Sequence, residues 1–249
     1  MLNKLNKKKK SPVTIQKGED EELSQAYVKA RESFPLFWNQ FSSDFNRIIP
    51  AIEMASLKVQ FSDDPDDLES AVEHMWVNII DFDGKEITGT LINSPNWLKK
   101  YKLNDEVCFP VSQISDWLCV IGGVTYGGFT VQLIRSRMNK KDRLEFDKAW
   151  GLDFPSPEKV LIPERNDKFD KSLADIIKNQ IEDNPKIISQ KFDKGRTLLH
   201  LSALYGRYSS VELLLKSGAK KSVKCKRGWT ALDYAESLGW KEIIDLLKS

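Results

Sequence analysis

An internal repeat in the C-terminal part of the chain constrains its fold more than any other feature. Gly195 and Gly228 lie 33 residues apart, and each is followed two positions later by a threonine, Thr197 or Thr230, before an apolar run. Threonine suits the N-cap of a helix. Apolar residues then recur at helical spacing, as at Val211, Leu214 and Leu215 in the first unit. A repeat of this length predicts a stack of helical hairpins, each burying its apolar face against a neighbour.

The two units resemble the ankyrin repeat, in which a Gly-x-Thr-Pro-Leu-His-x-Ala turn and first helix precede a second helix. The chain departs from that pattern at Leu198 and Ala231, which replace proline, and at Asp233, which replaces the histidine. The resemblance implies a structural role for His200 in hydrogen bonds between repeats, and a function in binding proteins. Two units rarely suffice for stability. We therefore predict a degenerate first repeat before them, so that the all-α ankyrin array covers residues 171–249.

Residues 19–150 predict an α+β domain, with an N-terminal helix and an antiparallel sheet. Apolar residues at helical spacing predict a helix over 19–45, which Pro35 breaks or kinks. Asp83-Gly84 lies between two β-prone runs, 74–80 and 86–92, and this pattern indicates a hairpin. Further strands are predicted at 56–61, 106–111, 117–121 and 129–134. Because no helix is predicted between these strands, antiparallel pairing is favoured over a Rossmann-type sheet.

Five short motifs in this region resemble the bacterial YegJ-like family, a domain of unknown function. In order, they are His74-Met75-Trp76-Val77, Gly89-x-Leu91-x-Asn93-x-Pro95, Asp105-x-Val107, Ile114-x-Asp116-Trp117 and Tyr126-Gly127-Gly128-Phe129-Thr130. The resemblance covers about residues 20–150. It implies a bacterial origin and supplies no catalytic residue or cofactor.

Charge is distributed unevenly along the chain, although the formal net charge is only +2. Residues 1–18 carry six lysines and no acid, residues 19–150 hold 22 acids against 14 basic residues, and residues 151–249 hold 14 acids against 18. We interpret residues 1–18 as a basic flexible tail. Attachment of this tail to nucleic acid or to a membrane surface is a weaker alternative, because the adjacent domain is acidic and no aromatic residues separate the lysines.

The remaining sequence features bear on location and on the connection between domains. The three cysteines form no Cys-x-x-Cys pair, no apolar stretch is long enough to span a membrane, and the N-terminus lacks the pattern of a secretory signal. We therefore expect a cytoplasmic protein without membrane attachment. Residues 151–170, with three prolines, predict an extended linker along the surface.

We predict no catalytic residue, no metal site and no cofactor. The histidines His74 and His200 are far apart in the sequence and have no cysteine in zinc-ligand spacing. The acidic turn after residue 62 lacks the spacing and glycine of a calcium loop. Gly127-Gly128 is interpreted as a turn or bulge, because a strand is predicted after it and a phosphate cradle needs the N-H groups of a helix end.

These features favour a non-enzymatic protein that binds another protein. An acidic surface speeds association with a basic partner, and the sharper hypothesis is an immunity protein that neutralises a basic toxin. The residues predicted to contact the partner are Trp229, Arg227, Arg196, Tyr205, Asp63, Asp64, Asp66 and Asp67. For Trp229, packing within the array is an equal alternative. The alternative function is an enzyme or small-ligand sensor with a pocket near Trp117 and Tyr126.

Overall fold

The computed structural model describes residues 21–66 and 70–249. The first helix, α1 (Glu21–Asp44), confirms the predicted N-terminal helix, and Pro35 lies inside it without ending it. Its buried face includes Ala30, Phe34 and Phe37. The Phe37 ring lies 5.2 Å from the ring of Trp117, so that α1 covers the sheet through aromatic contacts.

Within the part of the chain that the structure describes, six antiparallel strands form one sheet in the order β4-β3-β2-β1-β5-β6. Their bounds are β1 (Ile52–Ser62), β2 (Val72–Phe82), β3 (Glu86–Leu91), β4 (Glu106–Pro110), β5 (Ile114–Ile121) and β6 (Val124–Gly127). A short 3-10 helix, Val111–Gln113, joins β4 to β5. The predicted hairpin at Asp83-Gly84 connects β2 and β3, and the antiparallel arrangement is confirmed.

The segment predicted as a strand at 129–134 is a helix, so that prediction was wrong. Helix α2 (Phe129–Ser136) begins directly after Gly127-Gly128, and α3 (Lys140–Trp150) follows it. The reason is tertiary. The carboxylate of Asp116, on β5, accepts hydrogen bonds from the backbone N-H groups of Phe129 (2.9 Å) and Thr130 (2.8 Å). The Asp116 carboxylate thus supplies the acceptor for helix-end N-H groups that the N-cap residue, Gly128, cannot provide because it has no side chain.

The C-terminal region is helical, as predicted, and begins with α4 (Asp167–Asp183) inside the segment expected to be a linker. The elements after it are two 3-10 helices, Pro185–Ser189 and Asp193–Gly195, then α5 (Leu198–Leu204), α6 (Tyr208–Lys216), α7 (Ala231–Leu238) and α8 (Lys241–Lys248). Helix α4 packs against α6, whose first turn it caps through the buried Asp170. Thr197 and Thr230 occupy the predicted N-cap positions.

The two regions share a continuous hydrophobic core that runs from α1 and the sheet into α5–α8. Among residues 21–66 and 70–249, no helix is both long and apolar enough to cross a membrane.

Candidate protein-interaction surfaces

The tip of the β2–β3 hairpin docks on the turn that precedes α7. Arg227 donates to the Asp83 carboxylate through both terminal nitrogens, one of them at 2.8 Å. Gly84, with φ +93°, lies against the rings of Trp229 and Tyr234, and a Cβ there would lie 2.7 Å from the Tyr234 ring. Only glycine suits both that backbone conformation and that close approach. The hairpin turn therefore fits the repeat through its shape and its charge.

A second contact joins the C-terminal half of α1 to the end of α5. Asn39, 2% exposed, donates from Nδ2 to the Tyr205 carbonyl at 2.7 Å and accepts at Oδ1 from the backbone N-H of Asn166 at 3.0 Å. Arg207 donates to the Ser42 carbonyl at 3.1 Å. The Trp38 ring lies 6.0 Å from the Tyr205 ring. One amide thus ties together three segments that are distant in the sequence.

The connecting segment is held along its length. The Leu161 carbonyl accepts from the N-H of Gly127 at 2.8 Å, at the edge of β6, and the Lys159 carbonyl accepts from Gln132 Nε2 at 2.9 Å. The Glu164 carbonyl accepts from Gln40 Nε2 at 2.6 Å. These bonds reach β6, α2 and α1, so the segment is fixed to the first domain before α4 begins.

The four repeat residues predicted to contact a partner all contact other parts of this chain. Arg227 and Trp229 meet the hairpin tip, and Tyr205 packs between Trp38 and Arg207. Arg196 is 6% exposed, and its Nη2 lies 3.4 Å from the carboxylate of Asp193. Their role in binding a partner stays a prediction. The residues that make these contacts from the first domain were not foreseen, because only the Asp-Gly turn carries a sequence signal.

An open groove of about 770 Å³ lies where β1 ends and β4 begins. Its charged lining consists of Asp64, Asp105 and Glu106 against one lysine, Lys100. Phe61 and Tyr101, whose rings lie 5.0 Å apart, form part of the wall. The rest of the lining is largely polar, whereas sites for small ligands are mostly apolar. The groove is therefore an acidic and largely polar surface.

The predicted acidic residues lie beside this groove. Asp64 and Asp66 are exposed, whereas the Asp63 carboxylate accepts from the backbone N-H groups of Lys99 (2.9 Å) and Lys100 (2.9 Å). Those two N-H groups lower the pKa of Asp63. Asp63 thus fixes the loop 99–100 that forms one side of the groove. Asp67 lies outside the described residues, as do residues 1–18 of the predicted tail.

The region proposed for a small-ligand pocket contains a buried capping carboxylate. Asp116 is fully buried, and it also accepts from Thr130 Oγ1 at 2.6 Å. Burial raises its pKa, although Thr130 and the Lys58 ammonium oppose that effect. The hydrogen bonds of Asp116 to Phe129 and Thr130 hold α2 on β5. Within the two described ranges, no group of three or more His, Cys, Asp or Glu side chains is placed to hold a metal ion.

Both histidines are hydrogen-bonded within the fold. His200 Nδ1 lies 3.1 Å from the N-H of Thr197, and its Nε2 lies 3.1 Å from the Val223 carbonyl and 3.2 Å from the Trp229 carbonyl. This arrangement links successive repeats, as the resemblance implied. His74 Nδ1 lies 2.8 Å from Ser115 Oγ. Burial lowers the pKa of His74 to about 4, and the charge of Lys58 adds to the effect.

Comparison with known proteins matches both parts of the chain. Residues 20–154 match a family described as uncharacterized proteins conserved in bacteria (DUF2314), and residues 168–249 match ankyrin repeats in three copies. A relative from Neisseria meningitidis serogroup B (strain ATCC BAA-335 / MC58), whose name describes it as an ankyrin repeat protein (NMB1133/NMB1171), is 37% identical over 238 residues, which cover 92% of this chain and 94% of the relative.

A similar solved structure is the predatory endopeptidase Bd0816 from Bdellovibrio bacteriovorus in complex with immunity protein Bd3460. The matched chain is 24% identical, and the match covers 43% of this chain and 56% of that one, with a TM-score of 0.28. A similarity at this TM-score supports no inference about fold or function.

Proposed function

The chain belongs to the DUF2314 family of uncharacterized bacterial proteins and carries ankyrin repeats after that domain, and from this premise we propose that it acts by binding a basic protein. The ankyrin repeats indicate a protein partner. The finer part of the proposal is that the partner is a toxin and that the chain is its immunity protein. The acidic groove is the contact surface.

The observation that carries the proposal is the set of exposed carboxylates in and beside the groove. Asp64, Asp66 and Glu106 are exposed, and among the described residues none of them takes part in an ion pair. Residues 19–150 carry a net charge of −8, from 22 acids and 14 basic residues. A concave acidic surface on an acidic domain attracts a basic protein and accelerates its association.

Hydrogen bonds at the groove support the same function. The Asp63 carboxylate holds loop 99–100, and Tyr101 Oη donates to the Ser62 carbonyl at 3.3 Å, so one side of the groove is held in place by the chain itself. Binding to such a surface loses less conformational entropy than binding to one that must first become ordered.

The test measures whether this chain protects cells from a toxic protein that is encoded next to its gene. The proteins encoded directly upstream and downstream of this gene are each expressed from an inducible promoter, with and without this chain. The wild-type chain should restore growth when the toxic neighbour is induced. D64K/E106K should fail to restore it, and should bind the purified neighbour at least about tenfold more weakly, equal to a loss of about 1.4 kcal/mol.

The matched control is E145K/D175K, which changes the net charge equally at exposed positions on α3 and α4. It should protect and bind as the wild type does. Equal loss in both variants would attribute the effect to total charge and contradict a role for the groove. If neither neighbouring protein is toxic, the immunity role is rejected. Binding of this chain to each purified neighbouring protein is then the remaining measurement.

A further inference from the structure

The turns of the array form a second charged surface, opposite in sign to the groove. The 33-residue repeat places Lys191 above Lys224 and Lys194 above Arg227. The structure brings these turns together: Lys191 Nζ lies 3.4 Å from the Lys224 carbonyl, and the N-H of Lys226 donates to the Lys194 carbonyl at 2.9 Å. We call Lys191, Lys194, Lys224, Lys226 and Arg227 the basic turn surface.

Two residues of this surface, Lys194 and Arg227, form one row and already bind carboxylates. Lys194 Nζ lies 2.5 Å from Asp81 Oδ2, and Arg227 binds Asp83. The two aspartates are alternate residues at the end of β2 and the adjoining turn. One row of stacked turns therefore holds an acid-x-acid pair from an extended chain. The two aspartates of such a pair are about 7 Å apart along a strand, whereas neighbouring helices are about 8–10 Å apart. The long side chains of Lys194 and Arg227 bridge this difference.

The other row has the same chemistry but no bound carboxylate. Lys191, Lys224 and Lys226 are exposed, and within the described ranges none of them forms an ion pair. The neighbouring acids have other partners: Asp193 pairs with Arg196, and Asp233 caps its own helix through Thr230. The charge of Lys224 helps to lower the pKa of Asp233, but that carboxylate forms no ion pair with the lysine. Lys191, Lys224 and Lys226 thus lie without a bound carboxylate, beside a pair of basic residues that shows what such turns bind.

We propose that Lys191, Lys224 and Lys226 dock an acidic segment of a partner protein, extended and with carboxylates at alternate positions. Charge complementarity and the adjoining Asp81–Asp83 contact both support a polypeptide ligand. A nucleic acid is disfavoured because the same edge carries Asp81, Asp83 and Glu86, which would repel a continuous phosphate backbone. This surface is separate from the acidic groove, and its test does not depend on the toxin proposal.

The probe is a peptide that copies residues 79–90 of the chain, closed into a hairpin and labelled at one end. Its fluorescence anisotropy is measured against the full-length protein at about 50 mM salt, where the Debye length is on the order of 14 Å. We expect saturable binding to the wild type. We expect binding at least about tenfold weaker to K191E/K224E, since two like charges replace two attractive ones.

Three controls make the result decisive. K178E/K241E makes the same charge change on α4 and α8, at exposed positions, and should change affinity less than twofold. A peptide with lysine in place of both aspartates should fail to bind the wild type and should bind K191E/K224E. Circular dichroism confirms that each variant is folded.

Equal binding of the acidic peptide to the wild type and to K191E/K224E would overturn the proposal. Tighter binding of a 16-base-pair DNA duplex than of the acidic peptide would also overturn it and would identify the surface as a nucleic-acid contact. The absence of any binding to the wild type would count against it in the same way.

Discussion

Asn39 offers the sharpest test of how the two domains are joined. Replacing it with aspartate keeps the side-chain shape and the acceptor for the Asn166 N-H. The change removes the donor to the Tyr205 carbonyl and places a carboxylate oxygen 2.7 Å from that oxygen. A buried acceptor without a partner costs about 1–3 kcal/mol, and a buried unpaired charge adds to that cost. We therefore expect N39D to lower the free energy of unfolding by about 3 kcal/mol at pH 7.

Urea denaturation followed by tryptophan fluorescence measures this change. The control is N179D on the exposed face of α4, where we expect a change of less than about 0.5 kcal/mol. The loss in N39D should shrink in acid, because the protonated carboxyl group can donate to the Tyr205 carbonyl again. A change below about 0.5 kcal/mol for N39D at pH 7 would refute the conclusion that this amide holds the domains together.

Three further predictions concern the hairpin, α2 and pH. G84A should lower Tm, because alanine strains the positive φ and its Cβ would lie 2.7 Å from the Tyr234 ring. G122A, which has positive φ but open space around it, should lower Tm less, and an equal fall in both variants would contradict the role of the Tyr234 contact. D116N should lower the free energy of unfolding by about 2–4 kcal/mol, seen as a fall in Tm of roughly 4–16 °C, because the new NH₂ group cannot accept from Thr130. If α2 is capped another way, Tm will not move. The pKa of His74 is lowered from 6.5 to about 4, so its contribution is present above about pH 6.5 and is lost as the pH falls toward 4. That contribution is at most about 3 kcal/mol, and H74N should flatten the fall in unfolding free energy between pH 7 and pH 4.5.

Local patterns predicted the elements whose stability depends on nearby residues. The Thr197 and Thr230 caps, the Asp83-Gly84 hairpin and the long helix 19–45 all depend on contacts within a few positions along the chain. The strand prediction for 129–134 was wrong because one buried carboxylate, that of Asp116, outweighed the β-prone composition of the segment. Asp116 lies 13 residues before Phe129. No spacing rule connects an aspartate in a strand to a helix that begins beyond the next strand.

The candidate surfaces were predicted less completely than the fold. The acidic turn at Asp63, Asp64 and Asp66 was found from composition, yet the groove beside it depends on how loop 99–106 folds back onto β1. The repeat residues were chosen because ankyrin turns often face a partner. The sequence could not show that the chain's own hairpin lies against them, since Asp81 and Asp83 resemble any acidic turn.

The amino-acid sequence alone determined the two-part organisation, the helical repeat with its 33-residue period, the antiparallel class of the first domain and the uneven charge of the two parts. The tertiary structure decided how those parts meet. Asp83 and Arg227 are 144 residues apart, and Asn39 and Tyr205 are 166 apart. Contacts between residues so far apart in the sequence arise from the three-dimensional placement of whole domains. A sequence pattern that spans only a few residues cannot predict them.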